Sequence, residues 1–122
     1  MVLEQIYQHC LNKPKTEETF PFNQDTLVFK VCGKMYALLP LDKWEAGDAS
    51  ITLKCDPELA LQLRDNYDCI VGAYHMNKTH WNSVKTDGTV SENLMKELID
   101  LSYNLVVESL PKKVKEEFLK MD

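Results

Sequence analysis

The sequence predicts an α+β fold, an antiparallel sheet of about five strands with helices packed on one face, in a single domain spanning residues 1–122. Three observations predict it. Two β-rich runs, Thr26–Val31 and Lys34–Leu39, are separated only by Cys32-Gly33, the spacing of a tight hairpin. Leu94, Leu98, Leu101 and Leu105 recur at spacings of four and three, the stripe of an amphipathic helix. Asp56-Pro57-Glu58 combines a capping carboxylate, a first-turn proline and an acid at the positive dipole end, and so starts a helix.

The remaining elements follow in order. Leu3, Ile6, Tyr7, Cys10 and Leu11 lie on one side of a first helix, which ends before Pro14. Residues 15–25 are polar and read as a loop pinned by Phe20 and Phe22. In the first hairpin strand, Leu27, Phe29 and Val31 share one face, with Val28 and Lys30 on the other. Leu41–Ala49 is a polar connection. Ser50–Lys54 alternates again, with Ile51 and Leu53 on one face. The helix begun at Pro57 runs to about Asn66. Cys69–Tyr74 reads as a strand in which Gly72 marks a bulge or a close approach. Trp81–Lys85 is a further strand, ended by Thr86-Asp87-Gly88. Ile99, Tyr103 and Val106 widen the C-terminal leucine stripe, and Pro111 opens a short last helix carrying Val114, Phe118 and Leu119.

Composition bounds the function. A chain of 122 residues, 44% hydrophobic and 27% charged, has the balance of a globular domain. No run of about 18 apolar residues occurs and the N-terminus carries no basic–apolar leader, so a cytoplasmic protein without membrane contact is expected. Cys10, Cys32, Cys55 and Cys69 form no CxxC pair and read as four reduced, mostly buried thiols. The net charge is −5, and of 14 basic residues only Arg64 is arginine. Strong non-specific nucleic-acid binding needs a local excess of positive charge, and arginine makes the commonest specific base contact. Both features point to modest nucleic-acid affinity at most.

The segment Gly72–Lys85 stands out. It holds two of the three histidines, one of the two tryptophans, two asparagines and two lysines, and no acid. His75, Asn77, Lys78, His80 and Asn82 supply donors and charge for phosphate, and Trp81 supplies a ring on which a base can stack. The same residues also suit a polar hairpin loop with Trp81 as a core anchor. Lys30, Lys34 and Lys54 lie on three strands; sharing the sheet face away from the helices, they would form a basic stripe with Lys85. His75 and His80 are five apart and no carboxylate lies beside them, so no metal site is expected. No nucleophile–base pair or phosphate-cradling glycine loop is present in the pattern, so neither enzyme activity nor a cofactor is expected.

Across nearly the whole chain the sequence resembles the MmcQ/YjbR family. The matching stretches are Glu17-Glu18-Thr19-Phe20-Pro21-Phe22, Leu27-Val28-Phe29-Lys30-Val31, Gly33-Lys34-Met35-Tyr36-Ala37-Leu38 and Leu53-Lys54-Cys55-Asp56-Pro57-Glu58. They continue in Tyr74-His75-Met76-Asn77-Lys78-Thr79-His80-Trp81-Asn82 and Ser102-Tyr103-Asn104-Leu105-Val106. The resemblance implies a CyaY-like fold whose paired hairpins form a double-wing DNA-binding surface. On it fall Lys30 and Lys34 in the first hairpin, and His75, Asn77, Lys78, His80, Trp81 and Asn82 in the second. The expectation is a monomeric, weakly DNA-binding module with a regulatory role. The alternatives are a protein-interaction module, through strand edges or the Phe20-Pro21-Phe22 loop, and a small-ligand domain near Trp81.

Overall fold

The two positive backbone angles that a tight hairpin demands fall on Cys32 (φ 49°) and Gly33 (φ 79°), where the sequence places the turn. The computed structural model describes residues 1–73 and 76–120. Among these the elements are α1 (Leu3–Leu11), β1 (Thr16–Thr19), β2 (Thr26–Val31), β3 (Lys34–Pro40), α2 (Leu41–Glu45), β4 (Ser50–Lys54), α3 (Pro57–Asn66), β5 (Ile70–Gly72), β6 (Trp81–Lys85), α4 (Glu92–Glu108) and α5 (Lys112–Lys120). The strands form one six-stranded antiparallel sheet in the order β1-β2-β3-β4-β6-β5.

One face carries the main core. Leu27, Phe29 and Val31 of β2, Ile51 and Leu53 of β4 and Val84 of β6 meet Ile6 and Cys10 of α1, Ala60 and Leu63 of α3, and the inner side of α4. The Asp56 carboxylate accepts from the Glu58 and Leu59 N–H groups, and so caps α3 as its sequence requires.

The strict alternation of β3 is broken by a bulge. Phe29 pairs with Ala37 and Lys30 with Met35, so Tyr36 is the extra residue. Tyr36, Ala37 and Leu39 therefore all enter the main core, while Leu38 joins a smaller cluster on the opposite face with Val28, Ala73 and Trp81. Tyr36 becomes a hub there. Its hydroxyl donates to the Cys10 carbonyl at 2.9 Å and lies 2.8 Å from the Thr16 hydroxyl. Its ring meets Tyr103 edge-on at 5.1 Å. Burial pushes the phenol well above its ordinary pKa, so it remains a neutral donor.

The buried stripe of α4 is rotated from the leucine repeat. Met95, Leu98, Ile99, Ser102, Tyr103, Val106 and Val107 are buried, whereas Leu94, Leu101 and Leu105 are half-buried flanks. A serine holds the centre because its hydroxyl closes two backbone bonds. Ser102 Oγ donates to the Tyr36 carbonyl at 2.5 Å and accepts from the Lys54 N–H at 2.8 Å. Across the same interface His9 Nε2 lies 2.7 Å from Asp100, and Lys13 also pairs with it, which ties α1 to α4. Burial alone would raise the Asp100 carboxyl; the bonds from Lys13 and His9 outweigh it and hold the group below the usual carboxylate range.

Three local expectations are corrected. Residues 16–19 are an edge strand, not loop, because the Thr16 and Glu18 side chains are held by the Tyr36 and Tyr7 hydroxyls rather than by apolar contact. Phe20 and Phe22 pin nothing: they are 49% and 61% exposed. The 41–49 connection contains α2, whose Trp44 indole donates to the Ser50 carbonyl at 2.9 Å. The cysteines are unpaired, with Cys10, Cys55 and Cys69 buried and Cys32 exposed on the hairpin turn. Among the described residues no helix is long and apolar enough to cross a membrane.

Replacing Ser102 with alanine strands the Lys54 N–H and the Tyr36 carbonyl. We expect Ser102→Ala to lose about 1–3 kcal/mol in urea unfolding, with the exposed Asn104→Ala within about 0.5 kcal/mol of the parent. Equal stabilities for the two variants would refute the role given to Ser102.

Candidate functional site: the lysine-bearing end of the sheet

Strand direction brings the candidate residues together. β2 runs into the Cys32-Gly33 turn and β3 leaves it; β4 ends at Lys54, β5 ends at Gly72, and β6 begins at Trp81, opposite Lys54. Thr16 pairs with Val31 beside the same turn. The hairpin turn, the 12–15 segment, the β4–α3 junction and the β5–β6 connection therefore share one end of the sheet.

Charge is segregated between the two ends. The connections at the far end (20–25, 41–49, 67–69 and 86–91) carry six carboxylates, Asp25, Asp42, Glu45, Asp48, Asp68 and Asp87, against one lysine, Lys43. The connections at the hairpin end (12–15, 32–33, 55–56 and 73–80) carry Lys13, Lys15 and Lys78 against Asp56 alone. Lys30, Lys34 and Lys54 add to that end at their strand termini, and Glu17, in register with Lys30, and Glu58, in the first turn of α3, add two carboxylates. Among the described residues no ion pair holds Lys30, Lys34, Lys54 or Lys78.

The expected four-lysine stripe is corrected in two respects. Lys30 and Lys54 lie on the outer face, in register with Met35 and Trp81. Lys34 does not: the two-residue Cys32-Gly33 turn sets it directly opposite Val31, so Lys34 takes the inner register and is exposed at the tip. Lys85 is on the outer face but at the acidic end, 3.9 Å from Asp48.

The β5–β6 connection is built as a folded turn. Asn77 Oδ1 accepts from the Thr79 N–H at 2.9 Å, and the Asn77 carbonyl accepts from His80 and Trp81. Asn77, Lys78 and Thr79 are exposed and His80 is half-buried. The His80 carbonyl accepts from the Cys55 N–H at 2.7 Å, anchoring the turn to the β4–α3 junction. His75, and with it Tyr74, lies outside the described residues. Gly72 serves the close approach expected of it: a Cβ there would meet the Lys78 side chain at 3.2 Å.

Two predicted contact residues are structural. Trp81 is only 9% exposed and packs with Val28, Leu38 and Ala73, with Met35 and Met76 against them. Its ring therefore offers no open stacking platform. Asn82 is 2% exposed, because it alternates with Val84 toward the main core. Its amide bridges Arg64 Nε, at 2.7 Å, and the Ala60 carbonyl, at 3.4 Å. Arg64 was not among the expected site residues. Its guanidinium also donates to the Lys78 and Trp81 carbonyls and so clamps the turn to α3. Its being the only arginine, seven residues into a capped helix, was the available signal.

Two concavities adjoin this end. A small one of about 10 Å³ lies between β4, α3, β6 and α4 at Leu53, Cys55, Leu63, Asn82 and Leu98. A surface groove of about 180 Å³ is lined by Pro57, Leu61, Arg64, Lys78 and Thr79. Among the described residues no three His, Cys, Asp or Glu side chains converge as metal ligands.

An open antiparallel sheet with helices on one face and two loops at one lysine-bearing end defines the class of protein. The YjbR family model matches residues 11–105, and the chain belongs to that family. It is 40% identical over 104 residues to the uncharacterized protein YbdF of Escherichia coli O157:H7, covering 85% of this chain and 83% of that one. It is 30% identical over 111 residues to the uncharacterized protein YjbR of Escherichia coli K12, covering 91% and 92%. The crystal structure of Deinococcus radiodurans protein DR2400, described as a DUF419 domain, superposes with a TM-score of 0.87 at 37% identity, over 96% of this chain and 87% of that one. A Pseudomonas syringae protein superposes with a TM-score of 0.72 at 32% identity, over 86% and 98%.

The burial difference within one turn gives a direct prediction. Trp81→Ala should cost about 3–5 kcal/mol in urea unfolding, whereas Lys78→Ala should stay within about 0.5 kcal/mol of the parent. A mild effect at Trp81 would show that its cluster contributes little to the fold.

Proposed function

We propose that this YjbR-family chain is a low-affinity nucleic-acid-binding module that meets phosphate with the lysine-bearing end of its sheet. The segregation of charge carries the reading. The net charge of −5 concerns the whole molecule. Binding depends on the local potential, and of the seven carboxylates in the connections counted above, six lie at the opposite end. That arrangement also orients an approaching duplex, attracted at one end and repelled at the other.

The chemistry available is positional rather than base-reading. Lys34 on the hairpin tip and Lys78 with Asn77 on the β5–β6 turn offer ammonium and amide donors to phosphate oxygens. Arg64 is engaged in clamping the turn and Trp81 is packed, so neither guanine recognition nor base stacking is supplied by them. Little sequence preference is expected.

Anisotropy titrations with duplex and single-stranded DNA test this at several salt concentrations. Binding should occur on the order of 1–100 µM and fall steeply with salt. The triple variant Lys34→Ala, Lys54→Ala, Lys78→Ala should lower the slope of log K against log salt by about 2–3 for duplex. Lys43→Ala, at the acidic end, should leave it unchanged. No binding at low salt and about 100 µM protein would sink the proposal.

A further inference from the structure

Among the described residues Arg64 is a cation without an anion. The side chain is half-buried, where a charge ordinarily requires a partner. Its acceptors are the Asn82 amide oxygen and the carbonyls of Lys78 and Trp81, all neutral. Among the described residues no carboxylate pairs with it, and its hydrogen bonds use Nε and Nη2, leaving Nη1. A guanidinium has five donors in a planar fork suited to phosphate and carboxylate oxygens.

The groove beside it is furnished for one kind of anion. Pro57, Leu61 and Arg64 follow at i, i+4 and i+7 along one side of α3, and the turn residues Lys78 and Thr79 form the facing wall. Lys78 adds a second cation, held close because its stem lies against Gly72. Thr79 adds a hydroxyl. Two cations favour a dianion over a carboxylate. Leu61, 59% exposed, gives an apolar wall that a bare inorganic ion does not use. The groove, about 180 Å³, is smaller than the roughly 300–1,000 Å³ usual for whole cofactors, so it suits a terminal group rather than an entire large ligand.

We propose that the groove between α3 and the 77–79 turn binds a phosphate monoester, with Arg64 and Lys78 on the phosphoryl oxygens and Leu61 against the ester carbon. The monoester belongs either to a free nucleotide or to the 5′ end of a nucleic-acid strand. In the second case the proposal deepens the nucleic-acid reading and rests on it.

Calorimetric titration with a nucleoside 5′-monophosphate, inorganic phosphate, and two single-stranded oligonucleotides that differ only in a 5′-phosphate tests the proposal. The nucleoside monophosphate should bind, and more tightly than inorganic phosphate. If the source is a strand end, the phosphorylated oligonucleotide should bind about tenfold tighter than its 5′-hydroxyl counterpart, the worth of one charge-assisted contact. If the source is a free nucleotide, the two oligonucleotides should match while the monophosphate binds. In either case Lys78→Gln, on an exposed side chain, should reduce monophosphate binding by about tenfold without changing the melting temperature. Thr79→Val is a second surface variant with a weaker effect in the same direction. Absence of monophosphate binding at millimolar concentration together with equal oligonucleotide affinities would overturn the proposal. Persistence of duplex binding in that event would leave the broader reading standing, and its loss would remove both.

Discussion

The rest of the structure depends on the single extra residue in β3. By bulging at Tyr36, the chain sends two successive side chains into the same core and places a phenol where α1, β1 and α4 converge. The cost of interrupting the ladder is offset by bonds that a regular strand would not reach. The Tyr36 hydroxyl satisfies the Cys10 carbonyl at the end of α1, and the Tyr36 carbonyl receives the Ser102 hydroxyl from α4. Ser102 then passes the connection on to the Lys54 N–H at the end of β4. One backbone irregularity thus fixes two helices and the strand that carries a candidate lysine.

The bulge also decides which β3 side chains reach the outer face beyond the hairpin end. Below it the outer face bears Lys30 beside Met35, and above it Leu38 beside Val28, so the outer sheet is apolar in its middle and basic at one end. Met35 and Met76 pack against that middle, Val71 on β5 stays exposed, and the basic end adjoins Trp81 through Lys54. There the Arg64 clamp does for the β5–β6 turn what Ser102 does for β4. It binds three acceptors from one helix side chain and holds Lys78 outward. Burial and exposure are divided between neighbours: Trp81 is packed on the outer face, Asn82 is buried on the inner one, and Asn77 and Lys78 face solvent.

Much of this was legible in the sequence. The Cys32-Gly33 turn, the Asp56-Pro57 helix start and the alternation of Leu27, Phe29 and Val31 each have a local physical cause, and each stands where it was read. What was not legible depends on partners distant in sequence. Thr16–Thr19 has no apolar alternation, because tyrosine hydroxyls from α1 and β3 hold its inward side chains. The outward register of Leu38, and the inward one of Ala37 and Leu39, follow from a bulge that no residue of β3 announces. Asn82 looks like a surface amide by composition, yet its two-residue spacing from Val84 already placed it on the buried face. The role of Arg64 emerges only once α3 and the turn are side by side.

The claim that nucleic acid meets the lysine-bearing end can be read residue by residue from backbone amide shifts during titration with a short duplex at low salt. The largest changes should fall on Lys34, Lys54, Asn77 and Lys78, with Asp25, Asp48 and Asp87 unmoved. Changes concentrated at those three acidic-end residues, or no changes at all, would contradict it.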